Sequence, residues 1–278
     1  MVLNSYSKIN LSLLVNSKNK NRFHNIQSYF CLISLKDRIK IKKINKKKDI
    51  INFEGSFAKF INKKNNSIKN LLILLRKLKL TSSYYSISIE KKIPVFAGLG
   101  GGTSNAVSII RYIVKTEIKN KNIDQIEKKI GTDLKLFFYK QGFLKNLRSI
   151  VDLNTNHKFY FVLIKPSFKC STKEIYSKVK KYSKRTTLIK KDITNKKAFL
   201  NLLSNTRNDL QSVVEKKYPQ IKKIIYEIGI QKGCSFSRMT GSGSVCYGLF
   251  DDQNSAKKAL NKLKIKYPKF WISLAKTV

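Results

Sequence analysis

The chain is 278 residues long and sets 58 Lys and Arg against 16 Asp and Glu, a formal net charge of +42. Its 42% hydrophobic content, with 11% aromatics, excludes a chain held disordered by its charge, and its length suffices for one large domain or two ordinary ones. Only eight of the cations are Arg and the Lys residues run from Lys8 to Lys276 without clustering, so the charge reads as surface drift in a composition rich in A/T-encoded residues rather than as a dedicated phosphate-backbone face.

Residues 6–15 (YSKINLSLLV) alternate as a strand does, and a polar turn follows. Residues 23–35 and the alternation over 39–44 predict two further strands of a meander. Residues 66–80 carry apolar side chains at helical spacing, 84–89 (YYSISI) alternate again, and 93–103 form a glycine loop. A helix is expected over 104–116, with Thr103 or Ser104 as its N-cap, and another over 123–130. The chain turns polar near Ile150, which places a domain boundary there. Beyond it a β-rich run covers 159–164, and helices are expected at 172–181, 197–203, 209–215 and 220–228. Two strands around a Gly241–Gly243 turn, a helix at 255–263 and a strand at 270–276 close the chain. Mixed strands and helices in both halves indicate α+β.

Glycine is scarce, with twelve in the chain, yet Gly98, Gly100, Gly101 and Gly102 stand within five residues and Gly241 and Gly243 form a second group. Where glycine is rare, such clusters mark positions at which another residue fails. The segment PVFAGLGGGTSNA joins a strand to a helix, where backbone N–H groups and a helix N-terminus favour an anion. It is not a Walker loop, for it has no Lys in the required place, and it lacks the third glycine of the dinucleotide fingerprint. Phosphate binding is the functional reading, and an ordinary glycine turn the plain one.

This segment resembles the central motif of the GHMP kinases. SYSKINLSLLV is similar to that family's first strand and sets Lys8 and Asn10 on its Lys and Asn. NRFHNIQSYF resembles the aromatic–His element of the branch acting on 4-diphosphocytidyl-2-C-methyl-D-erythritol, an intermediate of non-mevalonate isoprenoid synthesis, and matches Phe23 and His24. IGTDLKLFF puts Asp133 at the family's catalytic Asp, and SRMTGSGSVCYGLF resembles its C-terminal glycine motif. The likeness covers nearly the whole chain. It departs at Arg22 and Phe96, where the family has glycine, at Asn25, where it has Glu, and at Lys135, where it has Pro.

The resemblance implies a two-domain GHMP kinase fold: an N-terminal ribosomal-protein-S5-like α/β domain over 1–150 and a C-terminal ferredoxin-like α+β domain over 151–278. It implies an ATP-dependent kinase acting on the substrate's 2-hydroxyl. Asp133 would take the hydroxyl proton, with Lys8 close to it balancing charge. Pro94, Val95, Phe96, Ala97, Gly98, Leu99, Gly100, Gly101, Gly102, Thr103 and Ser104 would wrap the ATP phosphates with Mg²⁺. Asn66 and Lys91 would line the adenine side. Asn10, Phe23, His24, Thr172, Tyr176, Gly241, Ser242 and Gly243 would hold the substrate, the aromatic rings facing its cytosine.

No zinc pattern arises from Cys31, Cys170, Cys234 and Cys246, which read as reduced, mostly buried thiols. No secretory signal or apolar span is visible, so a soluble cytoplasmic protein without a membrane or specific nucleic-acid partner is expected. Two alternatives stay open: a GHMP kinase with another small-molecule alcohol, and a lysine-rich nucleic-acid-binding protein with salt-dependent, ATP-indifferent binding.

Overall fold

The computed structural model describes residues 1–19, 24–114, 117–155, 157–188 and 193–278. In chain order the elements are β1 (Val2–Asn10), β2 (Leu14–Lys18), β3 (His24–Ile44), β4 (Ile50–Glu54), α1 (Ser67–Lys77), β5 (Tyr84–Glu90), α2 (Gly101–Ile113) and α3 (Asn120–Ile130). A 3₁₀ turn (Leu134–Phe138) precedes β6 (Gln141–Asn146), β7 (Ser149–Asp152), β8 (Tyr160–Lys165), α4 (Thr172–Ser177), α5 (Lys196–Ser204), α6 (Asp209–Lys217) and α7 (Gln220–Gly229). The chain ends with β9 (Cys234–Met239), β10 (Cys246–Phe250), α8 (Gln253–Lys266) and β11 (Trp271–Lys276). Two units interleave along the sequence: Met1–Ser7, Leu35–Val95 and Gly100–Phe138 make the first, and Lys8–Ser34, Phe96–Leu99 and Tyr139–Val278 the second.

Several boundaries differ from expectation for local reasons. The strand expected over 6–15 is interrupted after Asn10, because Leu11 and Ser12 both turn their N–H groups to the Tyr29 carbonyl. The two strands expected over 23–44 are one, β3, since no glycine or proline interrupts Leu35–Arg38. The hairpin β6–β7 and the short β4 were not anticipated. Helix α2 starts at Gly101 rather than Ser104. Its N-cap is Gly100 in the left-handed region (φ 68°), with no capping side chain.

In the first unit, Arg38–Ile44 of β3 pairs antiparallel with β5, and β4 lies parallel to β5 on its other edge. Alternation buries Ile39 and Ile41 from β3, and Tyr85, Ile87 and Ile89 from β5. Helix α1 buries Ile68, Leu71, Leu72 and Leu75, the i, i+3, i+4, i+7 stripe of a one-sided helix, and Asn66 caps it by accepting from the Ile68 and Lys69 N–H groups. Helix α2 buries Ala106, Val107, Ile109 and Ile110.

In the second unit, β11-β8-β10-β9 form an antiparallel sheet. Central β8 is buried on both faces from Phe161 to Ile164. Val162 and Ile164 join Leu210, Val214, Ile221, Ile224, Ile228 and Leu263 of the helices in one apolar cluster. Phe161 packs edge-on against Tyr247, whose hydroxyl donates to the Asn10 and Leu11 carbonyls. Arg238 on β9 is buried too, and its guanidinium donates to the Leu11 and Leu203 carbonyls and to Thr206 Oγ1. Burial pushes its pKa down, and the carbonyls satisfy its donors.

A polar network inside the first unit fixes the entrance of the glycine loop. Asp37 shares the inward parity of Ile39 and Ile41 and is fully buried. One of its oxygens accepts the Lys92 and Ile93 N–H groups, the other the Lys91 ammonium and the Asn105 amide. Asn105 also accepts from Lys91 at 2.9 Å and donates to Ser5, whose hydroxyl meets Ser104 at 2.7 Å. Burial pushes the Lys91 ammonium pKa down, while Asp37 acts in the opposite sense. Replacing Asp37 by Ala leaves Lys91 buried and uncompensated, so a loss of about 3 to 5 kcal/mol is expected in denaturant unfolding. The double variant Asp37→Leu/Lys91→Met should lose distinctly less, and equal losses would show that the pair is not what matters.

Candidate active site

The glycine loop delivers its helix with the first turn open. No side chain caps α2, no acidic residue stands in its first turn, and the N–H groups of Gly101, Gly102 and Thr103 therefore face outward from a positive helix end. Thr103 lies against Gly131, where a Cβ would stand 3.0 Å from the Thr103 hydroxyl oxygen. Gly131 has φ 152° and stops α3, so the chain turns there into Thr132 and Asp133. Asp133 is half-buried, and its carbonyl accepts the Leu136 N–H as the 3₁₀ turn buries Leu134, Leu136 and Phe137. The first unit thus sets an anion-ready helix end beside the turn that carries the candidate base. Lys135 ties this turn to α3 through Asp124 at 2.8 Å and Glu127 at 3.5 Å.

Other residues of the expected nucleotide side have internal partners. The Ser104 hydroxyl donates to the Tyr6 carbonyl, leaving Thr103 as the hydroxyl at the helix end. Lys91 is buried on Asp37, and the Asn66 side chain caps α1 while donating to the Asn62 and Lys63 carbonyls. Pro94 is buried and Val95 half-buried.

In the second unit the two glycine turns press backbone against backbone. A Cβ on Gly98 (φ 73°) would overlap the Thr240 carbonyl oxygen, so glycine is demanded there by both space and torsion. Ala97 accepts the Val245 N–H at 3.4 Å, and Leu99 accepts the Lys8 N–H at 3.1 Å. Lys8 is almost fully buried and donates its ammonium to Asn10 Oδ1. Asn10 in turn donates to Ser28, and its backbone N–H reaches Thr240 Oγ1 at 2.9 Å. Lys8 and Asn10 are therefore oriented by the turn holding Gly241, Ser242 and Gly243. That turn closes by Gly243 N–H to the Thr240 carbonyl, and Ser242 meets the Thr172 hydroxyl at 2.8 Å.

Phe96 occupies the left-handed region at φ 55°, where the family resemblance puts a glycine. An L-residue there costs about 1 to 2 kcal/mol relative to a relaxed backbone. The ring is 53% exposed and carries the Lys169 ammonium 5.2 Å over its centroid.

His24 and Tyr176 come together, with ring centroids 5.1 Å apart. Tyr182, which lies in a lysine-rich stretch with no local signal of a site, brings a third ring 6.4 Å from His24. Burial, and then Lys18 on the paired strand β2, push the His24 pKa down, so the ring is neutral at neutral pH. Phe23, like Arg22, lies outside the described residues. Also unforeseen were Asp37, detectable as an acid on the inward parity of an apolar strand, and Thr240 and Ser28, which nothing local distinguishes.

Two family models match the chain: the GHMP kinases N terminal domain over residues 66–133 and GHMP kinases C terminal over 185–269. A Pelagibacter ubique protein named 4-diphosphocytidyl-2-C-methyl-D-erythritol kinase is 37% identical over 99% of this chain and 98% of its own length. A like-named protein of Wolbachia sp. subsp. Drosophila simulans is 32% identical over 96% of this chain and 94% of its own. A crystal structure of 4-(cytidine 5'-diphospho)-2C-methyl-D-erythritol kinase matches with a TM-score of 0.76 at 20% identity, covering 99% of both chains. Homoserine kinase from Cytophaga hutchinsonii matches at 0.68 and 15%, covering 100% of this chain and 94% of its own. Its open helix end, its paired glycine turns and these likenesses agree: the chain has the α+β GHMP kinase fold and belongs to the GHMP kinase family.

Proposed function

We propose that the protein is an ATP-dependent kinase that phosphorylates the 2-hydroxyl of 4-diphosphocytidyl-2-C-methyl-D-erythritol. The observation that carries this reading is the uncapped start of α2 with Thr103 seated against Gly131, two residues before Asp133. The His24–Tyr176 ring pair and the 37% identical relative supply the choice of alcohol.

Phosphoryl transfer asks the protein mainly to position a nucleophile and to offset developing charge. The γ-phosphate of ATP lies against the first-turn N–H groups of α2. As the substrate oxygen bonds to the γ-phosphorus, its proton passes to Asp133 and the bond to the β-phosphate oxygen breaks, releasing ADP. Lys8, oriented by Asn10, offsets the charge on the transferring group. Thr103 would supply a hard oxygen donor to a Mg²⁺ ion accompanying the nucleotide, whose charge would partly neutralise the phosphates. Tyr176 gives the cytosine a stacking face, and the neutral His24 ring accepts from its exocyclic amine.

ADP release measured with the diphosphocytidyl alcohol, homoserine and mevalonate in parallel tests the assignment. Turnover confined to the first supports it, whereas no turnover, or equal turnover on a control, overturns it. Asp133→Asn keeps the shape and removes the base, so kcat should fall by at least about a hundredfold with ATP affinity retained. A near-normal kcat would sink that role. His24→Ala should raise the KM of the cytidine substrate about tenfold with little change in kcat. In the unsubstituted protein that KM should rise as pH falls below the ordinary histidine range, because the imidazolium accepts nothing, and the variant should show a flat profile.

A further inference from the structure

Phe96 raises a question of energetics: the chain keeps a bulky residue in a left-handed turn and leaves its ring exposed. What lies over that ring is Lys169, from the segment between β8 and α4. The segment runs along the second glycine turn, and successive residues touch it. The Phe168 carbonyl accepts from Ser244 at 3.1 Å, the Cys170 sulfur lies 3.4 Å from where a Gly243 Cβ would stand, and Thr172 meets Ser242 at 2.8 Å. Phe168 is further clamped by a parallel stack on Tyr218 at 4.3 Å. Lys169 therefore springs from a backbone pinned on both sides to the turn. The Phe96 face limits the directions its flexible stem can take.

The same segment gathers positive charge. The Lys165 ammonium pKa is pushed down, first by burial, and the neighbouring Lys169 adds to that depression, while Cys170 opposes it. An anion beside Lys169 offsets the repulsion that Lys169 exerts on Lys165. Four residues beyond Thr172, on the same short helix, stands Tyr176 with His24 against it. Within the second unit, then, the ring pair, a pair of hydroxyls, and a braced cation follow one another along one segment.

We propose that Lys169, braced by Phe96, binds the diphosphate of a cytidine-diphosphate-linked substrate whose base lies at His24 and Tyr176. This inference rests on the substrate reading above. It gives Phe96 a positioning role: the aromatic ring at the position of a glycine holds a lysine in place for phosphate oxygens, in a glycine loop that has no lysine of its own. Lys169 is a binding residue and Phe96 its positioning residue.

Calorimetric affinities for cytidine and for cytidine 5'-diphosphate separate the two readings. In the unsubstituted protein the diphosphate should bind more tightly than the nucleoside, and both more tightly than their uridine counterparts. Lys169→Met should weaken cytidine diphosphate about tenfold, leave cytidine unchanged and lower the salt dependence of diphosphate binding. Lys169→Arg should restore most of the affinity. Phe96→Gly should lose diphosphate affinity in part, with the thermal midpoint held or raised by relief of the left-handed strain. Equal cytidine diphosphate affinity in Lys169→Met and the parent overturns the inference while cytidine preference, and with it the substrate reading, stands. Parallel weakening of nucleoside and diphosphate in Lys169→Met also overturns it, since that marks a structural role. No preference for cytidine over uridine in the parent overturns the substrate reading and this inference together.

Discussion

A single buried carboxylate holds the first unit's working parts in register. Asp37 has no exposed surface, and its two oxygens take four donors: two backbone N–H groups at the mouth of the glycine loop, the Lys91 ammonium and the Asn105 amide from α2. Three of the donors come from the consecutive residues Lys91, Lys92 and Ile93 and the fourth from Asn105 on α2, and removal of Lys91 would strand the Asp37 charge in the interior. The strand β3, the loop entrance and the uncapped helix α2 are thereby fixed to one point. The preorganisation that phosphoryl transfer demands begins there, in a group with no exposed surface.

The second unit reaches rigidity by another route. Its two glycine turns meet backbone to backbone, so that Gly98 lies on the Thr240 carbonyl and the polar chain Lys8–Asn10–Ser28 is hung from the same turn. Few formal charges take part. The protein's large positive charge lies mostly on exposed lysines, while the contacts within this turn fall mainly to carbonyls, amides and hydroxyls.

Much of this was legible in the sequence. Period-2 alternation located β5, and helical spacing of apolar residues located α1, though not the capping role of Asn66. The glycine clusters marked both turns because composition made every glycine expensive to retain. What local pattern could not carry was partnership. Lys91 looked like one lysine among fifty facing a nucleotide, and only the fold reveals Asp37 beneath it. Ser104 looked like an N-cap, but three preceding glycines let α2 start a turn earlier and carried its hydroxyl inward to Tyr6. Phe96 stood out in the sequence only as a departure from the family's glycine, because its neighbour in space, Lys169, is 73 positions away.

Arg238 shows where compositional drift halts. Its guanidinium spans the Leu11 and Leu203 carbonyls and the Thr206 hydroxyl at once, a reach that one ammonium on a flexible stem does not reproduce. Arg76 likewise forks onto both oxygens of Asp49 while donating to the Ser83 carbonyl. In a chain with fifty lysines and eight arginines, these two arginines stand where charge alone is not enough. At both positions the spacing of several acceptors calls for a planar fork.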